Sequence, residues 1–406
     1  MKNQKYSQHF LLNTNTVIDY VKDCTDYFDD QAELTASEIG DGNINYVFRV
    51  KDQRSGKSLV VKQADKLLRS SGRPLDLHRS RIEAEILRTE GKLAPGFTPI
   101  VYDYNETMCA LTMEDISTYK NLRTEMLKGK TFPLFADNIT AFIADTLLPT
   151  TDLVLDRHEK KRKVQLFTNI DCCDITEDLV FTEPYYNYKN RNIITEGEEA
   201  FVAENLYQNE YLKGQVGLLR DRFMNEAQAM IHGDLHSGSI FINENGIKVI
   251  DPEFSFYGPI GYDVGNVIGN LFLAWANKLT TASDQKEFLN WIENTIRDIY
   301  DQMKEQFGLK YDSLVTCPLY NAHFKKTYID EIMADAMGYA GTEMIRRTVG
   351  DTKTLEITSV ADHSKRVLLD KLLILSGMRF IERRNQYMQG SDITDEFERT
   401  VSELWN

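Results

Sequence analysis

The chain has 406 residues and a formal net charge of −15. This length is more than one hydrophobic core usually supports, so we expect two domains, and a composition of 42% apolar and 27% charged residues excludes a disordered or fibrous protein. The acidic balance argues against nucleic acid as a partner, since proteins that bind a phosphate backbone carry a clustered basic face.

The cysteines and the apolar segments indicate the compartment. Five scattered cysteines do not suit a disulfide framework, and the adjacent Cys172 and Cys173 lack the spacing of a zinc site. The amino-terminal segment has no sustained apolar run, and residues 264–276, the most apolar stretch, are interrupted by Asn266 and Asn270. We therefore expect a cytoplasmic protein without a membrane partner, in which residues 264–276 form a buried helix.

Hydrophobic periodicity predicts a first domain that mixes helices and strands. In chain order the predicted elements are an amphipathic helix over residues 1 to about 34, two or three strands within 34–63, a helix over 75–93, and a hairpin over 99–115 that turns at Asn105 and Glu106. After residue 115 the pattern is mainly helical, apart from a loop at 170–200 and a hairpin at 238–256. We therefore predict domains at 1–115 and 116–406.

The segment EIGDGNINYVFRV places Gly40 and Gly42 at a turn between two strands, where backbone amides can approach a ligand. Such glycines are also common in plain hairpins. Further on, Lys62 lies in the apolar strand LVVKQ, and a buried ammonium group needs an anionic partner. Glu83 or Glu85 on the next helix can supply it, and the pair could then bind an ATP phosphate. The alternative is an ordinary lysine on an edge strand.

Three carboxylates lie on the two sides of the second hairpin, Asp234 in IHGDLHSGS and Asp251 and Glu253 in DPEF. The hairpin is expected to bring them to one end, where they would repel one another unless a divalent cation such as Mg²⁺ neutralised them. Asp251 and Glu253 are two residues apart, so both would reach a metal from one side of an extended segment.

The other groups of the IHGDLHSGS loop suit different roles. Asp234 is free to accept a proton from an attacking hydroxyl group. His232 and His236 are expected to hydrogen-bond the loop backbone, because Mg²⁺ does not favour imidazole.

The order of these motifs resembles the protein kinase-like fold. HGDLHSGS and DPEFSFYGPIGYDVGN are similar to segments of the aminoglycoside phosphotransferase and choline kinase branch. More narrowly, the segments EIGDGNINYVFRV, VVKQ, TMEDIS, HGDLHSGSI, DPEFSFYGPIGYDVGN and EMIRRTVG resemble the 5-methylthioribose kinase family over nearly the whole chain.

This resemblance implies an α+β, two-lobed protein kinase-like fold with a small antiparallel-sheet N-lobe and a larger, mainly helical C-lobe. It implies a homodimeric enzyme that uses ATP and Mg²⁺ to phosphorylate the 1-hydroxyl group of a small sugar, 5-methylthioribose, in methionine salvage. The implied site residues are Gly40, Gly42, Asn43, Asn45, Lys62, Glu114 and Ile116 for ATP, Glu83 as the partner of Lys62, Asp251 and Glu253 for the metal, Asp234 for catalysis, and Asp234, Arg346 and Arg347 for the sugar. Asp263 would brace the catalytic loop.

Two positions depart from the broader kinase pattern. Asn45 stands where a third glycine is usual, and Ser239 stands where most relatives have an asparagine that binds a second metal ion, so the number of metal ions is left open. Arg346 and Arg347 end a predicted helix, where solvated surface arginines are an equally good interpretation.

Other functions are also compatible with these motifs. The chain could be another small-molecule kinase, acting on an aminoglycoside, choline or homoserine, or a pseudokinase that serves as a binding module.

Overall fold

The computed structural model of the chain describes residues 4–39, 45–67 and 76–405. It divides into two compact units, the first made of Met1–Thr118 with Lys248–Phe254 and the second of Tyr119–Ile247 with Ser255–Asn406. The functional division at residues 115 and 116 stays a prediction. The grouping of residues 248–254 with the first unit was not predicted.

The first unit combines an antiparallel sheet with two helices. Its elements are α1 Thr16–Cys24, β1 Leu34–Glu38, β2 Tyr46–Asp52, β3 Ser58–Gln63, α2 His78–Leu93, β4 Val101–Asn105 and β5 Ala110–Glu114, with short 3-10 helices at Gln4–Tyr6 and Pro252–Phe254. In the described part of this unit five strands pair antiparallel in the order β1, β2, β3, β5, β4. The predicted strands and hairpin are thereby confirmed.

Alternation along β2 and β3 gives the sheet two apolar faces. One face packs Phe48, Val50, Leu59 and Val61 with Val17, Tyr20 and Val21 of α1. The other packs Val60, Leu111 and Met113 with Ala84 and Leu87 of α2. Lys62 is two residues after Val60, so its side chain lies on the α2 face of a strand that is covered on both sides.

The structure has a much shorter helix in this region than the one predicted over residues 1 to about 34, since α1 spans only Thr16–Cys24. The side chain of Asn13 accepts hydrogen bonds from the backbone N–H groups of Asn15 and Thr16 just before the helix starts. Only the stretch that follows repeats buried apolar positions at helical spacing.

The second unit is mainly helical. Its elements are β6 Lys120–Asn121, α3 Leu122–Leu127, α4 Phe135–Leu147, α5 Arg157–Leu166, α6 Ile170–Leu179, α7 Glu183–Tyr186, α8 Glu199–Val202, α9 Glu210–Asn225, β7 Ala229–Ile231, β8 Ile240–Asn243, β9 Gly246–Val249, β10 Phe256–Gly258, α10 Ile260–Thr281, α11 Lys286–Leu314, α12 Ala322–Val349, α13 Leu355–Thr358, α14 His363–Glu382 and α15 Gly390–Trp405. β6 pairs with β8 and β7 with β10, and the last two residues of β9 belong to the first unit.

Helix α10 is the core of the second unit and is buried along nearly its full length, which confirms the buried helix predicted at residues 264–276. It packs against α12 through Gly261, Gly265 and Gly269, where an added Cβ would lie within 3.0 Å of α12 backbone atoms. The helical interpretation of the segment that carries Arg346 and Arg347 is confirmed as well.

The loop predicted at residues 170–200 is wrong over its first half, where α6 and α7 lie. The buried positions of α6 are Cys172 and Thr176. Because neither residue is strongly apolar, the helical period is hard to see in the sequence. No helix in the described part of the chain combines the length and the apolar character that crossing a bilayer requires.

Candidate active site

Lys62 is the centre of a buried charge cluster in the first unit. Its Nζ lies 2.8 Å from Glu83 Oε1 and also contacts the Asp251 carboxylate. Burial opposes the ammonium charge, but the nearby carboxylates of Asp251, Glu83 and Glu253 outweigh it and raise the pKa of Lys62. β3 lies between β2 and β5 and Lys62 is only 6% exposed, so the edge-strand alternative is wrong.

The structure also separates the two candidate partners of this lysine. Glu83 is buried beside Lys62, whereas Glu85 pairs with Arg88 at 3.4 Å. Burial raises the pKa of Glu83 to about 7, and the Lys62 ammonium group opposes that rise.

Asp251 and Glu253 do not lie in an extended segment, and this expectation is wrong. Asp251 has a φ of 65°, and Glu253 is in the 3-10 helix Pro252–Phe254. A positive φ is uncommon for a residue with a Cβ and is often found at functional sites. The tight turn still keeps both carboxylates near Lys62, whose pKa both raise.

Arg79 and Asn45 hold Glu253 in a way that we did not predict. Glu253 Oε2 accepts a hydrogen bond from Asn45 Nδ2 at 3.2 Å and lies 3.3 Å from Arg79 Nε. Arg79 Nη2 in turn donates to Asn45 Oδ1 at 3.1 Å, and all three side chains are buried. Asn45 thus contacts the acidic turn directly. Arg79 is four residues before Glu83 on α2, a spacing that puts both on one helix face and could have indicated its role.

The remaining nucleotide-binding predictions concern backbone groups. Gly40, Gly42 and Asn43 lie outside the described residues. The backbone N–H of Glu114 donates to the carbonyl of Ile100 at 2.8 Å, and the Glu114 carboxylate contacts Lys248 Nζ at 3.0 Å. The predicted contacts of the backbone around Glu114 and Ile116 with adenine stay predictions.

In the second unit, Asp234 follows β7 on a loop that Asp263 braces. The Asp263 carboxylate accepts hydrogen bonds from the backbone N–H groups of His232, at 2.6 Å, and Gly233, at 3.0 Å. Gly233 has a φ of 79°, which glycine adopts without strain. The bracing role predicted for Asp263 is confirmed.

His236 and Ser239 form a second contact set around Asp234. His236 Nδ1 accepts from the backbone N–H of Ser239 at 3.0 Å, which leaves the proton on Nε2, and Nε2 lies 3.5 Å from Asp234 Oδ2. Ser239 Oγ donates to the Asp234 carbonyl at 3.0 Å, and His232 Nδ1 accepts from the Asp234 N–H at 3.3 Å. These are the backbone contacts expected of structural histidines.

The twin arginines are not solvated surface residues, so that alternative is wrong. Arg347 is 5% exposed, with Nε 2.8 Å from Glu343 Oε1 and Nη2 3.9 Å from Asp234 Oδ1. Arg346 Nε lies 3.5 Å from Glu343 Oε2. Glu343 was missed in the sequence, although a glutamate three and four residues before two helical arginines is well placed to pair with both.

These charges keep Asp234 ionised. Burial would raise its pKa, but the guanidinium groups of Arg347 and Arg346 lower it, as does His236 where the imidazole is protonated. A carboxylate that is ionised and faces a cationic group can orient a hydroxyl group and accept its proton. Whether Asp234 acts together with Asp251 and Glu253 stays a prediction, because these residues belong to different units.

Comparison with known proteins first defines the class. Residues 178–300 match the phosphotransferase enzyme family. With the antiparallel sheet of the first unit and the helices of the second, the chain is an α+β protein of the protein kinase-like class, as the sequence predicted. A choline kinase from Cryptosporidium parvum is among the similar solved structures, with 14% identity, a TM-score of 0.49, and coverage of 90% of this chain and 98% of that one.

The curated relatives then define the family. A methylthioribose kinase from Bacillus pumilus (strain SAFR-032) is 36% identical over 381 residues, which cover 92% of this chain and 93% of the relative. A methylthioribose kinase from Yersinia enterocolitica is 35% identical over 389 residues, with coverage of 92% and 96%. The chain belongs to the methylthioribose kinase family.

Proposed function

We propose that this chain transfers the γ-phosphoryl group of ATP to the 1-hydroxyl group of 5-methylthioribose and so forms 5-methylthioribose 1-phosphate in methionine salvage. The observation that carries this proposal is the identity of 36% and 35% to two methylthioribose kinases over 92% of the chain. The charges around Lys62 and Asp234 support it, because phosphoryl transfer needs a cation for the phosphate oxygens and an ionised carboxylate for the attacking hydroxyl group.

On the acceptor side, Asp234 orients the 1-hydroxyl group and accepts its proton as the oxygen attacks phosphorus. The lowered pKa of Asp234 supports this role, since the carboxylate is ionised at neutral pH. Arg346 and Arg347 bind the sugar and offset the charge that develops on the transferred group, because a guanidinium fork suits both hydroxyl and phosphate oxygens.

On the nucleotide side, Lys62 binds phosphate oxygens and Glu83 keeps its ammonium group in place. Gly40, Gly42, Asn43 and Asn45 complete the phosphate-binding turn, as the family resemblance implies. The backbone around Glu114 and Ile116 hydrogen-bonds adenine.

Asp251 and Glu253 are the protein groups that would hold Mg²⁺. Their oxygen donors suit a hard cation, and the Asp251 side chain, 45% exposed, is open to a ligand. In the described part of the chain no three His, Cys, Asp or Glu side chains are grouped to hold a metal. Two carboxylates still fit, since Mg²⁺ usually takes one or two from the protein and completes its shell with phosphate oxygens and water. When bound, the ion neutralises charge on the phosphates.

A panel of acceptors tests the activity. Purified protein with ATP and Mg²⁺ is assayed against 5-methylthioribose, kanamycin, choline and homoserine, and we expect turnover with the sugar alone. Asp234→Asn should lose turnover while it binds ATP with wild-type affinity in calorimetry. Turnover of another acceptor in preference to the sugar would replace the proposal with a different kinase, and ATP binding without turnover of any acceptor would favour a pseudokinase.

The compartment and the oligomeric state complete the proposal. The chain acts in the cytoplasm, a reducing compartment that suits its five free cysteines. It acts as a homodimer, which the family resemblance implies. Light scattering on the purified protein measures the oligomeric state, and a monomer at micromolar concentration would rule out the homodimer.

A further inference from the structure

Glu343 connects the two arginines to each other inside the second unit. It is 2% exposed, and its Oε1 accepts hydrogen bonds from Arg347 Nε at 2.8 Å and Asn270 Nδ2 at 3.1 Å. Its Oε2 lies 3.5 Å from Arg346 Nε. Adjacent residues of a helix point about 100° apart, so the two guanidinium groups need a shared anion to be held toward one place.

Asn270 of α10 then connects Glu343 to the Asp234 loop. Asn270 Oδ1 accepts from Ser237 Oγ at 3.1 Å and from Arg123 Nη2 at 3.0 Å. Ser237 is three residues after Asp234. The chain of contacts from Arg347 through Glu343 and Asn270 to Ser237 therefore fixes the arginines relative to the loop that carries Asp234.

The charges around this chain of contacts balance. The cations are Arg123, Arg346 and Arg347, and the anions are Asp234, Glu343 and Glu356, which lies 3.3 Å from Arg123 Nε. These three positive and three negative groups cancel one another, and His236 adds no charge, since burial lowers its pKa to about 4. The further carboxylate nearby, Asp263, is engaged by the N–H groups of His232 and Gly233. A site with balanced charges favours an uncharged polyhydroxyl acceptor over an amine or a carboxylate.

We infer that Glu343 is a positioning residue that aims Arg346 and Arg347 at the acceptor and also cancels one of their charges, so that the pocket selects a neutral sugar and releases its phosphorylated product. The inference rests on the proposed function and assigns a role to a residue outside the predicted set.

Two substitutions separate the two roles of Glu343. Glu343→Gln keeps the shape but removes the charge, and its amide NH₂ group would face the Nε donor of an arginine. Glu343→Asp keeps the charge but is one methylene shorter, so it cannot reach both arginines. We expect both variants to lower kcat/KM for the acceptor by about 100-fold, a typical cost of misplaced substrate-binding groups, with the KM for ATP changed by less than about twofold.

Titration with orthophosphate in a calorimeter, without nucleotide or acceptor, tests separately whether Glu343 cancels one of the arginine charges. We expect Glu343→Gln to bind orthophosphate about tenfold more tightly than the wild type, because an uncompensated buried arginine attracts an anion. Glu343→Asp should bind it as the wild type does. In turnover assays Glu343→Gln should also be inhibited more strongly by 5-methylthioribose 1-phosphate.

The matched control is Asp335→Asn, on the same helix. Asp335 is buried and pairs with the partly exposed Arg222 of α9, so the variant also removes the charge of a buried carboxylate on α12 that pairs with an arginine, but one that is not paired with Arg346 or Arg347. We expect wild-type kinetics and wild-type orthophosphate affinity from it. If Asp335→Asn behaved like the Glu343 variants, or if Glu343→Gln left orthophosphate affinity and the acceptor kcat/KM unchanged, the inference would be overturned. The orthophosphate result stands even if 5-methylthioribose is not the acceptor.

Discussion

At the scale of single residues, His236 shows how burial sets a protonation state next to a candidate catalytic group. Burial lowers its pKa from 6.5 to about 4, Arg123 and Arg347 act in the same direction, and Asp234 opposes them. The imidazole is therefore neutral at pH 7, with its Nε2 proton facing Asp234. Asp234 thus has a neutral donor on one side and Arg347 on the other.

This protonation state has a consequence for stability in acid. Between pH 6.5 and pH 4 the unfolded chain protonates His236 and the folded chain does not, so stability is lost as the pH falls. A shift of this size in the pKa of His236 lowers the free energy of unfolding by roughly 3 kcal/mol between pH 7 and pH 4. We expect His236→Asn to lose less stability than the wild type between pH 7 and pH 4, as measured by urea unfolding at both values.

The exposed His323 provides the control for this measurement, since His323→Asn should lose as much stability as the wild type over the same range. Equal losses in the wild type and in His236→Asn would show that His236 is protonated in the folded protein at acid pH.

Three of the predicted site residues can be recognised from a local pattern in the sequence, whereas Arg346, Arg347, Glu114 and Ile116 were implied by the family resemblance. Lys62 stands out as a charge in an apolar strand, and Asp234 and Asp251 follow strands at breaks in the pattern. Glu343 and Arg79 sit in helices among many other charged residues. Burial distinguishes Glu343 and Arg79 from those other charged residues. It depends on residues distant in sequence, since Glu343 contacts Asn270 and Arg79 contacts Asn45.

At the scale of elements, the contact between α10 and α12 depends on glycine. A Cβ on Gly265 would lie 2.5 Å from the carbonyl oxygen of Ala336 and 2.9 Å from the backbone nitrogen of Ala340. Backbone atoms cannot move aside as a flexible side chain can, so the helices would have to separate. This contact sets how Asn270 on α10 meets Glu343 on α12.

We therefore expect Gly265→Ala to destabilise the protein, since overpacking of a close contact costs about 1–3 kcal/mol and outweighs a gain in helix propensity of about 1 kcal/mol. Gly217 on α9 has no atom within 4 Å of an added Cβ, so Gly217→Ala should gain that propensity without the clash. Thermal unfolding should give a lower Tm for the first variant and a higher one for the second. A Tm for Gly265→Ala at or above the wild-type value would contradict tight packing at this position.

Most elements could be predicted because their apolar patterns are strong, as in the long apolar run of α10 and the alternating residues of the strands β2 and β3. The wrong predictions concern segments in which the sequence gives little indication of which residues are buried or how the backbone turns. The buried positions of α6 include Cys172 and Thr176, and the segment after Asp251 turns into a 3-10 helix through a positive φ that an aspartate rarely adopts. Neither feature has a distinctive local signature in the sequence.

At the scale of the whole molecule, one grouping could not be predicted at all. Residues 248–254 belong to the first unit, where Glu253 meets Asn45, a residue 208 positions earlier in the chain. Hydrophobic periodicity reports only on neighbours within a few turns, so it carries no information about such a contact. The motif DPEF indicates a metal site, but only the three-dimensional structure shows the arginine and the asparagine that hold its glutamate.

The net charge of −15 is also a property of the whole molecule. Because ATP is an anion too, this charge should repel the nucleotide. At low ionic strength the field of the whole chain repels the nucleotide over a Debye length of about 30 Å, and at 0.15 M salt that length falls to about 8 Å. We therefore expect the association rate constant of a fluorescent ATP analogue, measured by stopped flow, to rise as salt increases over this range, because screening removes long-range repulsion faster than it weakens the buried contacts of Lys62. Adenosine, which is uncharged, should show no such dependence. A rate constant for the ATP analogue that falls with salt would mean that local cations dominate the field at the nucleotide site despite the acidic surface.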